Sequence, residues 1–391
     1  MNGALCLVRL LRVLGSSLSN GRWKQFRRVF RDGLCAIAGQ TPNHAASVLA
    51  LPIVTSGGSV TELPALLQLA SGYWISQAIY VAAKLGIADV LNGGPASGAQ
   101  IAFATEANEG AILRLMRALC TVGVFRVDDT GKFTVTALGR PLQCGVPGSL
   151  RAMIITLGEV HYAAWAHLIH SVRTGRTAFP VAFGAEMFDY LGLDIEAGAT
   201  FNSAMTDCSA LSSCAVLLSY NFSEIRSVVD VGGGCGKLLT SILCMYPEMH
   251  GTLFDLPSVI AHAHGKLGAD PCRDRCNLVS GNFLEYVPPG ADVYLMSTVI
   301  HDWDDERAMR ILANCRRSMR QDSRVLLVEF VVPDGGEISF STLFDLNMLV
   351  MNGGRERTVS EFRRLFHAAG LRMTRIIPTL SPLRVIEATC S

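Results

Sequence analysis

The stretch Ser227–Tyr246, "SVVDVGGGCGKLLTSILCMY", decides the fold. A short β-branched run gives way to a glycine-rich turn, Gly232-Gly233-Gly234-Cys235-Gly236, and then to an apolar helix. The same alternation continues downstream. "GTLFDLP" (251–257) reads as a strand ending at Asp255, with Pro257 placed to open a helix. "NLVSGNF" (277–283), "ADVYLMSTVI" (291–300) and "RVLLVEFVV" (324–332) are further apolar runs of strand length. Between the last two, Ala308, Ile311, Leu312, Cys315 and Met319 share one helical face. The C-terminal end differs. "LRMTRIIPT" and "LRVIEAT" flank a Ser381-Pro382 turn, which predicts an antiparallel hairpin. Strand and helix in alternation predict an α/β class fold: a doubly wound, mostly parallel seven-stranded sheet closed by that hairpin.

Working toward the N-terminus, the pattern becomes helical. "LLQLASGYWISQAIYVAAKLGIADVL" has apolar residues at mixed three and four spacing, punctuated by Gly86 and Gly93-Gly94. "EGAILRLMRALCTVGVFRVDDTGKFTVTALGRPL" reads as helix, strand, turn, strand, with Asp129-Thr130-Gly131 at the turn. A helix followed by such a hairpin is a winged-helix pattern, a DNA reader or a dimerisation module. The helix before the wing carries only Arg114 and Arg117, with Glu106 and Glu109 upstream, too little positive charge to track phosphates. "FDYLGLDIEAGATFNSAMTDCSALSSCAVLLSY" continues as helix to a boundary near Asn221.

Composition sets limits. At 391 residues the chain is long enough for two domains, and half of it is hydrophobic with 17% charged residues. A net charge of +1 argues against a nucleic-acid binder. The 12 cysteines are scattered without a CxxC pair, which reads as reduced thiols in a cytoplasmic setting. No apolar run reaches the ~18 residues of a membrane span. Residues 1–60 stand apart: Arg9, Arg12, Arg22, Lys24, Arg27, Arg28 and Arg31 face one acid, Asp32. That is a basic tail or transit-type segment, or a poorly ordered extension. The expected division is 1–60 extension, 61–170 helical winged-helix-like domain, 171–220 linking helices and 221–391 sheet domain.

Ligands of doubly wound sheets bind at the carboxyl ends of the strands. Gly232, Asp255 and His301 all fall there. The glycines let a ligand approach the backbone, yet they do not form the GxGxxG dinucleotide fingerprint. Asp255 is placed to accept ribose hydroxyls, and "GNF" (281–283) to meet an adenine. A glycine loop without a phosphate partner, plus an acid for ribose, suits a nucleoside carrying a cationic amino-acid arm. S-adenosylmethionine is that molecule.

"VVDVGGGCG", "GTLFDLP", "GNFLEYVPPGADVYLMSTVIHDWDDE", "LLVEF" and "NGGRERT", in this order, resemble the small-molecule O-methyltransferases, the family of plant caffeate, acetylserotonin and bacterial antibiotic-tailoring enzymes. The resemblance runs from about Leu63 to Ala388. It implies a Rossmann-like class I methyltransferase domain behind a helical domain that pairs two copies into a homodimer. It also implies that His301 is the general base, held by Glu329 and Glu356. The base has work to do, because a phenol titrates near ~10 and a free imidazole near ~6.5. The resemblance places Gly232, Gly234, Asp255, Asn282, Phe283, Ser297, Trp303 and Ser209 around the cofactor. It places Phe201, Met205, Tyr162, Trp165, Asn347 and Asp302 around a small hydroxylated acceptor, aromatic or polyketide-like. Phe201, Met205 and Ser209 share one helical face by spacing.

The chain departs from the family at two positions. Asn282 stands where aspartate is common, and Ser297 where many plant members have lysine and some bacterial members serine; the site is expected to persist with lower cofactor affinity. His262, His264, Cys272 and Cys276 have a spacing that fits no zinc module, and no metal is expected. Two other functions remain open: a cofactor-binding relative with hydroxylase or decarboxylase chemistry, and a winged-helix regulator that senses a small ligand.

Overall fold

A computed structural model describes residues 62–267, 272–335, 337 and 339–391. The extension expected over residues 1–60 lies outside the described residues. The described residues gather into two compact units, one of residues 62–167 and 180–208, the other of 168–179 and 209–391.

In the first unit the long helical pattern is cut into shorter helices, Glu62–Ala70, Tyr73–Lys84 and Ile87–Val90. Gly86, at φ +67°, makes the second break in the left-handed conformation that glycine adopts without strain. The break at Ser71-Gly72 was not legible in the pattern. Ser97 and Gln100 form a capping box on the helix Gly98–Ala104, and Asn108 caps Glu109–Thr121. The hairpin follows as β1 (Phe125–Val127) and β2 (Phe133–Val135), paired antiparallel. Its turn is organised by Asp128, whose Oδ1 accepts from the backbone N–H groups of Thr130 and Lys132. Ile87, Ile101, Ile112, Met116, Leu119, Phe125 and Phe133 are buried together as the unit's core.

The second unit is built on β3 (Ser227–Val231), β4 (His250–Asp255), β5 (Cys276–Ser280), β6 (Val293–Ser297), β7 (Arg324–Val332), β8 (Arg357–Thr358), β9 (Leu371–Pro378) and β10 (Leu383–Cys390). The order across the sheet is β5-β4-β3-β6-β7-β10-β9. β3 to β7 pair in parallel, and β10 runs antiparallel between β7 and β9. The doubly wound sheet with a terminal hairpin is therefore present. That path across the sheet has the seven strands expected, and the two-residue β8 pairs with β7 off it. It is too short for any period-2 signal.

Side chains alternate across the sheet as a doubly covered sheet requires. Val228, Leu253, Leu295, Leu326 and Val328 join one core cluster. Val229, Val231, Phe254, Met296, Val325 and Leu327 join the other. The strand order reverses between β3 and β6, so the crevice between their carboxyl ends is the expected ligand position. Among the described residues no single helix is long and apolar enough to cross a membrane.

Candidate active site

The apolar run ending at Ile300 is not strand throughout. β6 stops at Ser297, and Thr298 follows in the left-handed region at φ +52°. Ile300–Asp302 then form a 3-10 turn that carries His301. The neighbouring strand supplies the cause. The Thr298 N–H still donates to Val328 O at 2.9 Å, but the next amides are taken by a side chain. Glu329, in β7, accepts from the Val299 and Ile300 N–H groups at 3.1 and 2.8 Å through Oε1. A carboxylate thus replaces the backbone partner and bends the chain. Left-handed backbone at a β-branched residue is held only where its surroundings dictate it.

A second segment grips this turn from 352–357. The Arg355 N–H donates to His301 O at 2.8 Å. Asn352 Nδ2 donates to Asp302 Oδ1 at 2.7 Å. Gly354 lies against the turn: a Cβ there would stand 2.1 Å from His301 O and 2.9 Å from the Asp302 Cα. Gly354→Ala must therefore push the two segments apart. Its expected cost is about 1–3 kcal/mol of stability, the range for overpacking, read from urea unfolding midpoints.

The side chains then converge. His301 Nδ1 lies 2.7 Å from Glu356 Oε1 and 3.7 Å from Glu329 Oε2. Its Nε2 faces Asp302 Oδ1 at 3.7 Å, beyond hydrogen-bond length. His301, Glu329 and Glu356 are 7%, 0% and 2% exposed, so their charges interact in a low-dielectric environment. Glu329 Oε2 and Glu356 Oε2 are buried without a hydrogen-bond partner among the described residues. Their compensation is the nearby imidazole.

Burial pushes His301 down, but Glu329, Asp302 and Glu356 push it up, and the balance is about 10. Burial raises Glu329 to about 7 against the pull of His301. It raises Glu356 as well, against the hydrogen bond from His301. The groups titrate together, and the carboxylates around the ring favour its protonated form. The three ligand-type atoms lie within 4.8 Å of one another, and a proton on Nδ1 accounts for the 2.7 Å contact as a charge-assisted hydrogen bond.

The glycine loop lies at the carboxyl end of β3 in the same unit. The Gly232 N–H donates to Phe254 O at 2.8 Å and the Gly234 N–H to Asp255 Oδ2 at 2.9 Å. Gly232 and Gly234 hold φ +70° and +58°. A Cβ on Gly232 would meet Val299 at 3.0 Å and Phe283 at 3.4 Å, so the loop, the end of β5 and the His301 turn adjoin there. Phe283 meets the Trp303 ring edge-on at 5.9 Å. Burial raises Asp255, and it raises Asp230 to about 7 with help from the Asp255 charge. Two buried acids beside a glycine loop suit a ligand with hydroxyl and ammonium donors. Positive-φ glycines that hold no side chain over the loop, this acid pair and the apolar Phe283–Trp303 edge together fit S-adenosylmethionine.

Asn282 Oδ1 accepts from the Leu284 N–H at 2.9 Å, which orients its amide. Ser297 ends β6, and Ser209 lies on the helix Ile195–Ser219, where its carbonyl accepts from Ser212 and Ser213. Asn347 is half-buried on Phe340–Met351, the helix that also brings Phe344 to 6.0 Å from the His301 ring. Tyr162, Trp165, Phe201 and Met205 belong to the first unit. Tyr162 and Trp165 bound a short helix after a π-turn at Leu157–His161, and Phe201 and Met205 lie on Ile195–Ser219. His262 and His264 are exposed on the helix Pro257–Leu267, whereas Cys272 and Cys276 are buried.

The sequence reading missed several residues that build the site. Asn314, 1% exposed, donates to Phe283 O at 2.7 Å. Asp345 accepts from the Glu356 N–H at 2.7 Å. Arg357 is 1% exposed and surrounded by carbonyls. Arg357 alone lies in the charge-dense "GGRERT"; Asn314 and Asp345 sit on helices with no local signal, because burial is a tertiary property.

The family model of the O-methyltransferase domain matches residues 165–372, and that of the O-methyltransferase dimerisation domain matches residues 67–142. The chain is 42% identical to phenazine O-methyltransferase PhzM of Lysobacter antibioticus, over 85% of this chain and 97% of that one. It is 39% identical to the mitomycin biosynthesis 6-O-methyltransferase of Streptomyces lavendulae, over 81% of this chain and 91% of that one. The crystal structure of CalO1, a methyltransferase of calicheamicin biosynthesis in its S-adenosylhomocysteine-bound form, superposes with a TM-score of 0.77 at 34% identity, covering 85% of this chain and all of that one (100%). This chain belongs to the S-adenosylmethionine-dependent O-methyltransferase family.

Proposed function

We propose that this chain moves a methyl group to a hydroxyl of a small aromatic or polyketide-like metabolite, with His301 as general base. The observation that carries this reading is the 2.7 Å contact between His301 Nδ1 and Glu356 in a buried cluster. Nδ1 is committed to the carboxylate, so Nε2 is the nitrogen that takes the acceptor's proton. When bound, S-adenosylmethionine supplies a methyl group on a cationic sulfur, already activated for departure. What is left to the protein is deprotonation and alignment.

The raised basicity of His301 serves this task. An unperturbed imidazole lies ~3.5 pH units below a phenol, so taking its proton is uphill by about 5 kcal/mol. With the base at about 10 that gap closes. Asp302 lies near Nε2 and, in this reading, faces the acceptor with Asn347, Phe201, Met205, Tyr162 and Trp165. Gly232, Gly234, Asp255, Asn282, Phe283, Ser297, Trp303 and Ser209 hold the cofactor. Asp255 receives the ribose hydroxyls, and Phe283 and Trp303, packed edge-on, form one apolar side for the adenine. In the same reading two copies associate through residues 61–170, residues 171–220 complete the acceptor pocket, and the enzyme works in the cytoplasm.

Calorimetric titration with S-adenosylmethionine and S-adenosylhomocysteine tests the cofactor half. Hydrogen bonds to a charged group contribute about 1.5–3 kcal/mol, so Asp255→Ala is expected to weaken binding by about tenfold to a hundredfold. Asp255 also accepts from Gly234 and Leu256, so Asp255→Asn, which keeps one acceptor oxygen, serves as the milder control. Equal affinity in the wild type and both variants would contradict this placement of the ribose.

A further inference from the structure

Three consecutive residues, Arg355, Glu356 and Arg357, hold the turn that carries His301, and the last is unexplained by the reading above. Arg357 is among the largest fully buried side chains of the described residues. Its Nη1 donates to Ile300 O at 3.1 Å and its Nη2 to Trp303 O at 2.8 Å. Nε donates to Asp305 Oδ1 at 2.9 Å, and Nη1 also donates to Arg355 O at 3.4 Å. The guanidinium therefore bridges the carbonyls on either side of His301 and ties both to the first turn of the helix Asp305–Ser318. Burying a guanidinium is costly unless every donor is matched, and here the planar fork is matched to fixed backbone oxygens.

We propose that Arg357 is a positioning residue for the general base: its guanidinium spans Ile300 O and Trp303 O and so fixes the His301 ring against Glu356. The inference rests on the general-base reading of His301. Arg355 anchors the backbone of residue 301, Glu356 takes its ring, and Arg357 locks the residues before and after it. A lysine cannot replace this function. Its single ammonium cannot span both carbonyls in the plane of the fork. Among the described residues, the charged groups around the cluster are Glu329 from β7, Arg355, Glu356 and Arg357 from the 352–358 segment, Asp302 and Asp305 from the turn and the helix after it, and Asp345 from the helix Phe340–Met351.

The test uses the full chain labelled with 15N-histidine and follows the ring nitrogens by NMR across pH. The chain has 9 histidines, and His301 is assigned as the signal missing in His301→Gln. The wild type is expected to show a far-downfield, slowly exchanging Nδ1 proton that persists above neutral pH. Arg357→Ala is expected to lose that proton, and its His301 midpoint to fall by about one unit or more as the carboxylate contact loosens, opposite in sign to the rise that loss of a neighbouring cation alone would give. S-adenosylhomocysteine should still bind Arg357→Ala, because Gly234 and Asp255 keep their own hydrogen bonds, with a loss smaller than that of Asp255→Ala arising from the released Trp303 carbonyl. Arg357→Lys, which keeps the charge, should show a weakened signal and an intermediate midpoint. An unchanged proton and midpoint in folded Arg357→Ala would overturn the proposal. Where that variant fails to fold, wild-type behaviour of Arg357→Lys would overturn it. Absence of S-adenosylhomocysteine binding in the wild type would instead count against the functional reading and would leave the His301 signal readable.

Discussion

His301→Ala is expected to lower kcat on an ordinary phenolic acceptor by roughly 10²- to 10⁴-fold, the usual contribution of a positioned general base. Affinity for S-adenosylmethionine should change little. His301 is buried in the 3-10 turn after β6, and the glycine loop and Asp255 have their own hydrogen bonds. The variant leaves Glu329 and Glu356 buried without the imidazole that compensates them, so protonation of one of them at neutral pH is the expected relief. His301→Asn is a useful companion. It preserves polarity near Nδ1 but offers no basic nitrogen, and its rate should resemble that of the alanine variant. A loss in KM alone, with kcat intact, would mean that the ring contributes to binding and not to proton transfer.

The second large effect is on pH dependence. The activity of the wild type should rise through the alkaline range, because His301 must lose its proton to act and its affinity for that proton is raised to about 10. The carboxylates that hold it are responsible, with Glu329 the foremost of them. Glu329→Gln isolates this contribution. The glutamine Oε1 can still accept from the Val299 and Ile300 N–H groups, so the turn keeps its shape while the charge disappears. Removing a negative charge that favours the protonated ring lowers the midpoint. The rising limb of kcat/KM should therefore move toward neutral pH by about one to three units. The maximal rate should fall as well, because a weaker base faces a larger gap to the phenol. A limb that stays in place would show that Glu329 acts only on the backbone.

Much of this architecture was legible in the sequence because it rests on local signals. β3, β4 and β7 announce themselves as continuous apolar runs, and the Ser381-Pro382 turn separates β9 from β10. Gly232 and Asp255 lie where strand ends place them. The His301 turn was misread as strand because Val299 and Ile300 are as apolar as the residues before them. They are buried, but in a turn. What ends the strand is Glu329, 30 residues on, taking the amide of Val299, and no local window contains that fact. Arg357 was equally hidden. In "GGRERT" it reads as loop charge, and only the folded chain shows the Ile300, Trp303 and Asp305 oxygens around it. Gly354 belongs with it: its motif was visible, but the reason for a glycine is the backbone of His301 pressed against it.

The central claim is that His301 removes the acceptor's proton. The most direct test compares the wild type with His301→Ala on two phenols of similar shape, one with an ordinary hydroxyl and one whose electron-withdrawing substituent leaves it ionised at neutral pH. If His301 is the base, the variant should lose its roughly 10²- to 10⁴-fold on the ordinary phenol and recover most of that loss on the ionised one. An equal loss on both acceptors would contradict the account and make His301 a group that positions the acceptor.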